Sequence, residues 1–420
     1  MIVNRQTYFF SPLFLFLSVW TAIVIIHQVS PVHLYSISPG TIFISVASII
    51  SLGFGYIFYR IYYSDIPIHL FSGSENQIIE INYKKILIFV ISLNIIVGIS
   101  LYFYLIYLAE ERGNILRYFL NPIMSRMLVV KTMKEENWNF TLALASYGTS
   151  LNIVNLVMSG ILFTSKKIIY KLISLGSLIL GIAISLINFS RYSLIYMILN
   201  WILSMFLFSY WLGQDRRKKI LKSMLIIVLV SIILIFTAFY VIISMRYFTV
   251  TETEISKTFT EQLFYYVTGN IVALDIYLTH DHTLLHGKGV FRSITKWLSR
   301  IGLMDENAVI SWKYNFVKIS PQFISNVFSY IRPLYEDFGV YGLLILSFLW
   351  GFFTAKILDN YLLNFSLVKH YLSVFLSFSF LMSFYGFNLL GITEILYFVI
   401  VFKILELMTK DNLITIARIN

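Results

Sequence analysis

Cysteine is absent from all 420 residues, so neither a disulfide nor a thiolate metal site can form, although that leaves the compartment undecided. Charge is scarce as well. Only 13% of residues are Asp, Glu, Lys or Arg, against about 25% in soluble domains, while 58% are hydrophobic and the mean hydropathy is +0.79. An ordinary soluble domain is thereby excluded, and a multi-pass membrane protein is expected. Short alternating segments, the mark of a transmembrane β-barrel, are missing, and apolar runs near the length of a bilayer stand in their place. Backbone groups in lipid must pair internally, so those runs are read as helices.

Ten spans are expected, at Pro12 to Ile26, Thr41 to Phe58, Ile86 to Leu108, Phe140 to Phe163, Ile168 to Ile187, Ser193 to Leu212, Leu221 to Ser244, Phe338 to Leu358, Leu367 to Tyr385 and Leu389 to Met408. Met1 to Ile26 has the look of a signal peptide but no small-x-small cleavage site, and is retained as a span. The chain then divides into a first bundle of seven spans (1–244), a long outer loop (245–337) and a second bundle of three spans (338–420). Orientation follows from Lys and Arg. The run Gln214 to Lys222 carries five basic residues beside one Asp and fixes that connection in the cytoplasm, which puts both termini there and the long loop outside. Among the short outer turns only Arg191 is basic. The net charge of +11 therefore points to anionic lipid headgroups and lipid-linked phosphates as partners, not to nucleic acid.

Tandem and inverted repeats are lacking, which weighs against transporter folds built from paired repeats. The long loop is rich in Phe, Tyr, Trp and Leu and is not disordered in character. Within it, Val290 to Leu303 places Val290, Ile294, Trp297, Leu298 and Ile301 on one helical face and Arg292, Lys296 and Arg300 on the other. That pattern predicts an amphipathic helix lying in the membrane interface. Ile115 to Met133 is similar, broken by Pro122.

Three places carry candidate chemistry. Arg191 sits at the tip of a two-helix hairpin in INFSRYSLIY, far from other charge. It is either an arginine that snorkels to the interface or a guanidinium placed to grip a lipid-linked pyrophosphate. Arg332, Glu336 and Asp337 in IRPLYEDFG stand at the mouth of the eighth span, and in a helix Arg332 and Glu336 would face the same way. A bland alternative is a helix start with Pro333 in the first turn and acidic residues offsetting the positive helix end. The functional alternative makes one carboxylate a general base while Arg332 holds phosphate. His280, Asp281, His282 and His286 cluster in LTHDHTLLHGKG, but the glycines and the want of a third well-spaced ligand argue against zinc; they are either solvated loop histidines or include a single proton acceptor. Asn94, Asn152, Asn155, Asn200, Asn388 and Glu394 are read as interhelical hydrogen-bonding groups, Glu394 being near enough to the outer end of its helix to border a site. No phosphate-binding glycine loop, nucleotide fold or nucleophile elbow appears, so no cofactor is expected and the donor should be an activated lipid.

INFSRYSLIYMIL around Arg191, LLHGKGVFRSI around Gly287 to Phe291, and NVFSYIRPLYEDFGVYGLLILSFLWG together resemble the bacterial O-antigen or oligosaccharide repeat-unit polymerase family, Wzy. The resemblance implies a GT-C-like, all-α integral membrane glycosyltransferase of the bacterial inner membrane. Such an enzyme moves a growing glycan from undecaprenyl pyrophosphate onto a new lipid-linked repeat unit, without metal, at the outer face. It further implies that Arg191, Arg246, Arg292 and Arg332 bind the pyrophosphate, and it brings a Wzz-type chain-length regulator into view as a partner. The full candidate set is Arg191, Arg332, Glu336, Asp337 and His286 for chemistry, with Arg246, Lys288, Arg292, Arg300 and Tyr335 for holding substrate. A flippase or exporter of lipid-linked sugars, and an O-antigen ligase, remain the alternatives.

Overall fold

The computed structural model describes residues 12–29, 34–63, 77–111, 113, 148–188, 190–212, 214–246, 252–279, 284–291, 294–295, 298–299, 302–303, 317–321, 323–325, 328–386, 392–409 and 414–418. Its helices in chain order are α1 (Pro12–Val29), α2 (Pro39–Tyr62), α3 (Tyr83–Glu110), α4 (Asn152–Phe163), α5 (Ile168–Ile187), α6 (Arg191–Ser209), α7 (Gln214–Arg246), α8 (Glu252–Leu278), α9 (Ile331–Leu363), α10 (Leu367–Leu381) and α11 (Ile392–Thr409). Two short antiparallel ribbons, unforeseen from the sequence, complete the described residues: β1 (Gln77–Ile81) with β4 (Ile414–Arg418), and β2 (Val317–Lys318) with β3 (Ile324–Ser325).

Seven of the helices, α1, α2, α3, α5, α6, α7 and α9, are long and apolar enough to cross a membrane. The protein is therefore a multi-pass helical membrane protein. A helix occupies each of the ten expected positions, with α4 and α10 shorter than a bilayer requires over their described lengths. Residues 140–147 of the expected fourth span lie outside the described residues.

The compact units cut across the bundles expected from chain order. One comprises Met1–Ser72 with Thr260–Ile404, the other Gly73–Phe259 with Leu405–Asn420. In the first unit α2 and α9 run parallel and in close contact. Their crossing is made by small residues: a Cβ added at Gly55 would lie 2.0 Å from the Phe348 carbonyl oxygen, and one at Gly351 would lie 2.0 Å from that of Leu52. Ser51 and Gly55, and likewise Ser347 and Gly351, are spaced four apart, so each helix presents a small-residue stripe that lets the backbones meet where lipid supplies no hydrophobic drive. Ser48 Oγ lies 2.6 Å from Tyr330 Oη and 3.0 Å from Ser347 Oγ, closing one end of the contact, and an Arg60–Asp359 ion pair closes the other. Phe16, Trp20, Tyr330, Trp350 and Phe380 pack edge to face or tilted beside it, with ring centroids 5.1–6.2 Å apart.

The expected long loop holds a 27-residue helix, α8. Its first half is charged, but residues 268–275 are buried, and Val272, Ala273 and Tyr277 form a small core with Ile319 and Phe328, against which Leu34 and Ile37 pack. Asp275 accepts hydrogen bonds from the backbone N–H and hydroxyl of Ser38, the N-cap of α2. In the second unit the expected polar network is present. Asn155 donates to Asn94 at 2.8 Å and accepts from Ser177 at 3.2 Å, joining α3, α4 and α5, while Trp201 of α6 donates to Ser174 of α5 at 3.0 Å. Asn200 departs from expectation: its amide donates within its own helix, to the Tyr196 carbonyl.

Candidate functional site

The IRPLYEDFG stretch is helical from Ile331, but the helix breaks at Gly339, whose φ of 64° and ψ of −165° lie outside any helix. The leading segment is therefore a short helix with carbonyls to satisfy at its end. The HGKG loop satisfies two of them, since Leu285 N–H donates to the Glu336 carbonyl at 3.0 Å and His286 N–H to that of Asp337 at 3.1 Å. The Asp337 carboxylate, fully buried, completes the clamp by accepting from the N–H groups of Gly289, at 2.9 Å, and Val290. Gly289 has no room for a side chain, because a Cβ there would lie 2.9 Å from Asp337 Oδ1. Neither carboxylate stands in the first turn, so the helix-start reading does not describe them. Asp337 is a positioning residue that fixes the loop.

Arg332 is only 4% exposed. Its guanidinium carbon lies 3.8 Å from the Phe328 ring centroid and 4.2 Å from that of Tyr277, so two aromatic faces hold it in place of water. Glu336, one turn on, offers Oε2 at 3.6 Å from Arg332 Nε, confirming that the two share a face. That separation exceeds a hydrogen bond, and Glu336 Oε2 is buried without a donor. Burial, then the Glu336 carboxylate, push the Tyr277 phenol above its ordinary range, partly offset by Arg332. Tyr277 thus stays protonated at neutral pH.

His286 and Lys288 are exposed on the clamped loop, and Tyr335 is half-buried. His286 is the one non-glycine residue with positive φ among those described, at 50°, followed by Gly287 at 87°. The structure thus gathers Arg332, Glu336, Tyr335, Asp337, His286 and Lys288 at one break in one helix. Arg191 belongs to the other compact unit, where it opens α6 directly after the N-cap Ser190, whose hydroxyl accepts from Ser193 N–H at 3.2 Å. A cation there opposes the helix dipole, so the position suits a neighbouring anion. Arg246 ends α7. Arg292 and Arg300 fall outside the described residues, as do His280, Asp281, His282 and Asn388; of the expected amphipathic helix, Ile294–Thr295 and Leu298–Ser299 are helical, whereas Val290–Phe291 and Gly302–Leu303 are turn or bend, so its described ends are not helical. Glu394 lies in α11, in its first turn.

Nothing in the sequence singles out Tyr277 or Phe328, and Gly289 stands out only as one of the glycines of the HGKG loop. The first two matter because α8 and the chain before α9 bring rings to Arg332, and only a periodicity analysis of residues 267–278 could have exposed that buried face. The arrangement offers a buried cation, a carboxylate oriented by it, and two exposed basic groups on a fixed loop. Comparison with protein-family models, with characterised proteins and with solved structures finds no match to this chain.

Proposed function

We propose that the protein polymerises lipid-linked oligosaccharide repeat units, moving a growing glycan from undecaprenyl pyrophosphate to a new lipid-linked unit at the outer face of the bacterial inner membrane. The observation that carries the reading is Arg332, desolvated between Tyr277 and Phe328 with the part-exposed Glu336 one turn on, at the head of an apolar helix. A charge pair held against a membrane span is costly and is kept mainly where it works.

In this mechanism a hydroxyl of the incoming unit attacks the anomeric carbon of the growing chain, the bond to the pyrophosphate breaks, and the hydroxyl proton passes to a base. Glu336, aimed by Arg332 and Tyr277, is that base. Lys288 and His286 on the exposed loop meet the pyrophosphate as its negative charge grows. Asp337 keeps the loop in register. No metal or cofactor is needed by this scheme.

The ten-span topology with both termini in the cytoplasm belongs to the same proposal. Two features agree with it. The β1–β4 ribbon joins the connection after α2 to residues 414–418, both assigned to the cytoplasm. Arg216 reaches Tyr83 Oη at 2.9 Å and the Thr164 carbonyl at 2.7 Å, bringing together three connections that the charge rule puts on that side.

The test is the length of lipid-linked glycan in a host deleted for this gene and complemented with wild type, Arg191→Ala, Arg332→Ala or Glu336→Gln at matched membrane levels. Single capped repeat units in the deletion and in the Arg332 and Glu336 variants support polymerisation at this site. Repeat units trapped on the cytoplasmic face would instead make the protein a flippase.

A further inference from the structure

The second unit carries a cavity of about 280 Å³ at its basic end, where the α4–α5 turn meets the start of α7. Lys166, Lys171, Arg216 and Lys219 line it, with Asp215 the one acidic residue among its walls. Four cations around one small concavity repel one another, and a single carboxylate does not balance them. Arg216 is also immobilised. One of its terminal nitrogens donates to both Tyr83 Oη and the Thr164 carbonyl, and its buried Nε has no hydrogen-bond partner. The guanidinium is thus fixed with donor capacity unused, the form of arginine that recognises phosphate oxygens. Lys171 holds its Nζ over the Phe163 ring, 5.6 Å from the centroid. The N-terminus of α5 opens beside the cavity without a side-chain cap, adding its positive end.

From this geometry we infer that the cavity is a binding site for a phosphate group, the phosphodiester headgroup of an anionic phospholipid of the surrounding leaflet being the occupant that its place at the end of apolar helices favours. Exposed Lys166 and Lys219 and the half-buried Arg216 converge on the phosphate from the cavity walls. Basic pockets between membrane helices bind acidic headgroups in this way. The site stands apart from the proposed glycan transfer and does not rest on it.

The full chain, purified in a neutral detergent, is titrated with dimyristoylphosphatidylglycerol, with dimyristoylphosphatidylcholine and with inorganic phosphate, and bound ligand is counted by native mass spectrometry. Wild type is compared with Lys166→Gln/Lys171→Gln/Lys219→Gln and with Lys218→Gln/Lys222→Gln, a change of basic residues on the same segment that do not line the cavity. Arg216→Ala is a weaker probe, since it also removes the bonds to Tyr83 and Thr164. The expected result is an affinity for phosphatidylglycerol at least about tenfold lower in the cavity variant and within about twofold of wild type in the control. Saturable binding of inorganic phosphate with the same dependence would support the site and name a soluble occupant. Equal losses in both variants, equal binding of phosphatidylcholine, or no saturable binding would overturn the proposal.

Discussion

The two compact units solve the same problem by different means. In the unit containing α2 and α9, two backbones meet at glycine, aromatic rings fill the space beside them, and charge is held in pairs with one buried member each, Asp359 with Arg60 and Arg332 with Glu336. In the unit containing α3 to α7, one glycine, Gly160, also meets a neighbouring backbone, but the helices are tied chiefly by uncharged side chains, Asn94, Asn155, Ser177 and Trp201 among them, and a cluster of cations lies around one cavity. Close backbone contact gives a rigid frame that can hold a desolvated ion pair in one geometry. Hydrogen bonds between side chains are individually weak in a membrane, about 0.6 kcal/mol on average, and a unit built from them tolerates single losses. The candidate chemistry is concentrated in the rigid unit.

The sharpest way to break this contrast is Gly351→Leu. The new side chain would meet backbone atoms of Leu52 and Tyr56, which cannot swing aside as a side chain could. A loss of more than about 4 kcal/mol is expected, read as failure to recover folded, detergent-stable protein. A well-folded variant would show that α2 and α9 are not held at this crossing.

Glu336→Gln comes next. It leaves the Arg332 cation among rings without its carboxylate, and about 3 kcal/mol should be lost, seen as a lower Tm. Arg332→Met combined with Glu336→Gln should restore most of the Tm, since an apolar replacement of a buried pair is often neutral. If glycan polymer returned with the Tm, the pair would be structural and the proposed base would lose its ground.

Much of this frame was legible beforehand. Apolar runs locate the seven described helices that are long and apolar enough to cross a membrane, because lipid demands length and hydrophobicity, which composition shows directly. Arg332 and Glu336 could be paired from their spacing, and the Asn94, Asn152 and Asn155 set from polarity within apolar runs. Asp337 could not be assigned its role, because its partners are backbone N–H groups, which no residue type announces, Gly289 excepted. The helix α8 escaped because a charged first half and a buried second half average to a polar segment. The division into units escaped because it depends on contacts between Met1–Ser72 and Thr260–Ile404, far apart in the chain.

A milder probe of the second unit is Asn155→Ala, which removes a donor to Asn94 and an acceptor for Ser177. A loss of about 1 kcal/mol is expected, far below that at Gly351. A collapse comparable to Gly351→Leu would mean that this network is the frame of its unit and that the contrast between the units is false.

The smallest effect should also have the opposite sign. Gly176 lies inside α5, where a Cβ would meet nothing within 4 Å, whereas at Gly55 or Gly351 it would strike a neighbouring backbone. With no contact to lose, Gly176→Ala changes chiefly the conformational freedom of the chain, and alanine is favoured in a helix interior by about 1 kcal/mol. The Tm of the full chain should therefore rise by about 2 °C, the scale expected for a domain of this size or somewhat smaller. A fall would mean that the face of α5 around Gly176 is covered in the membrane, by a second copy or by tightly held lipid, and that its glycine belongs with those of the crossing.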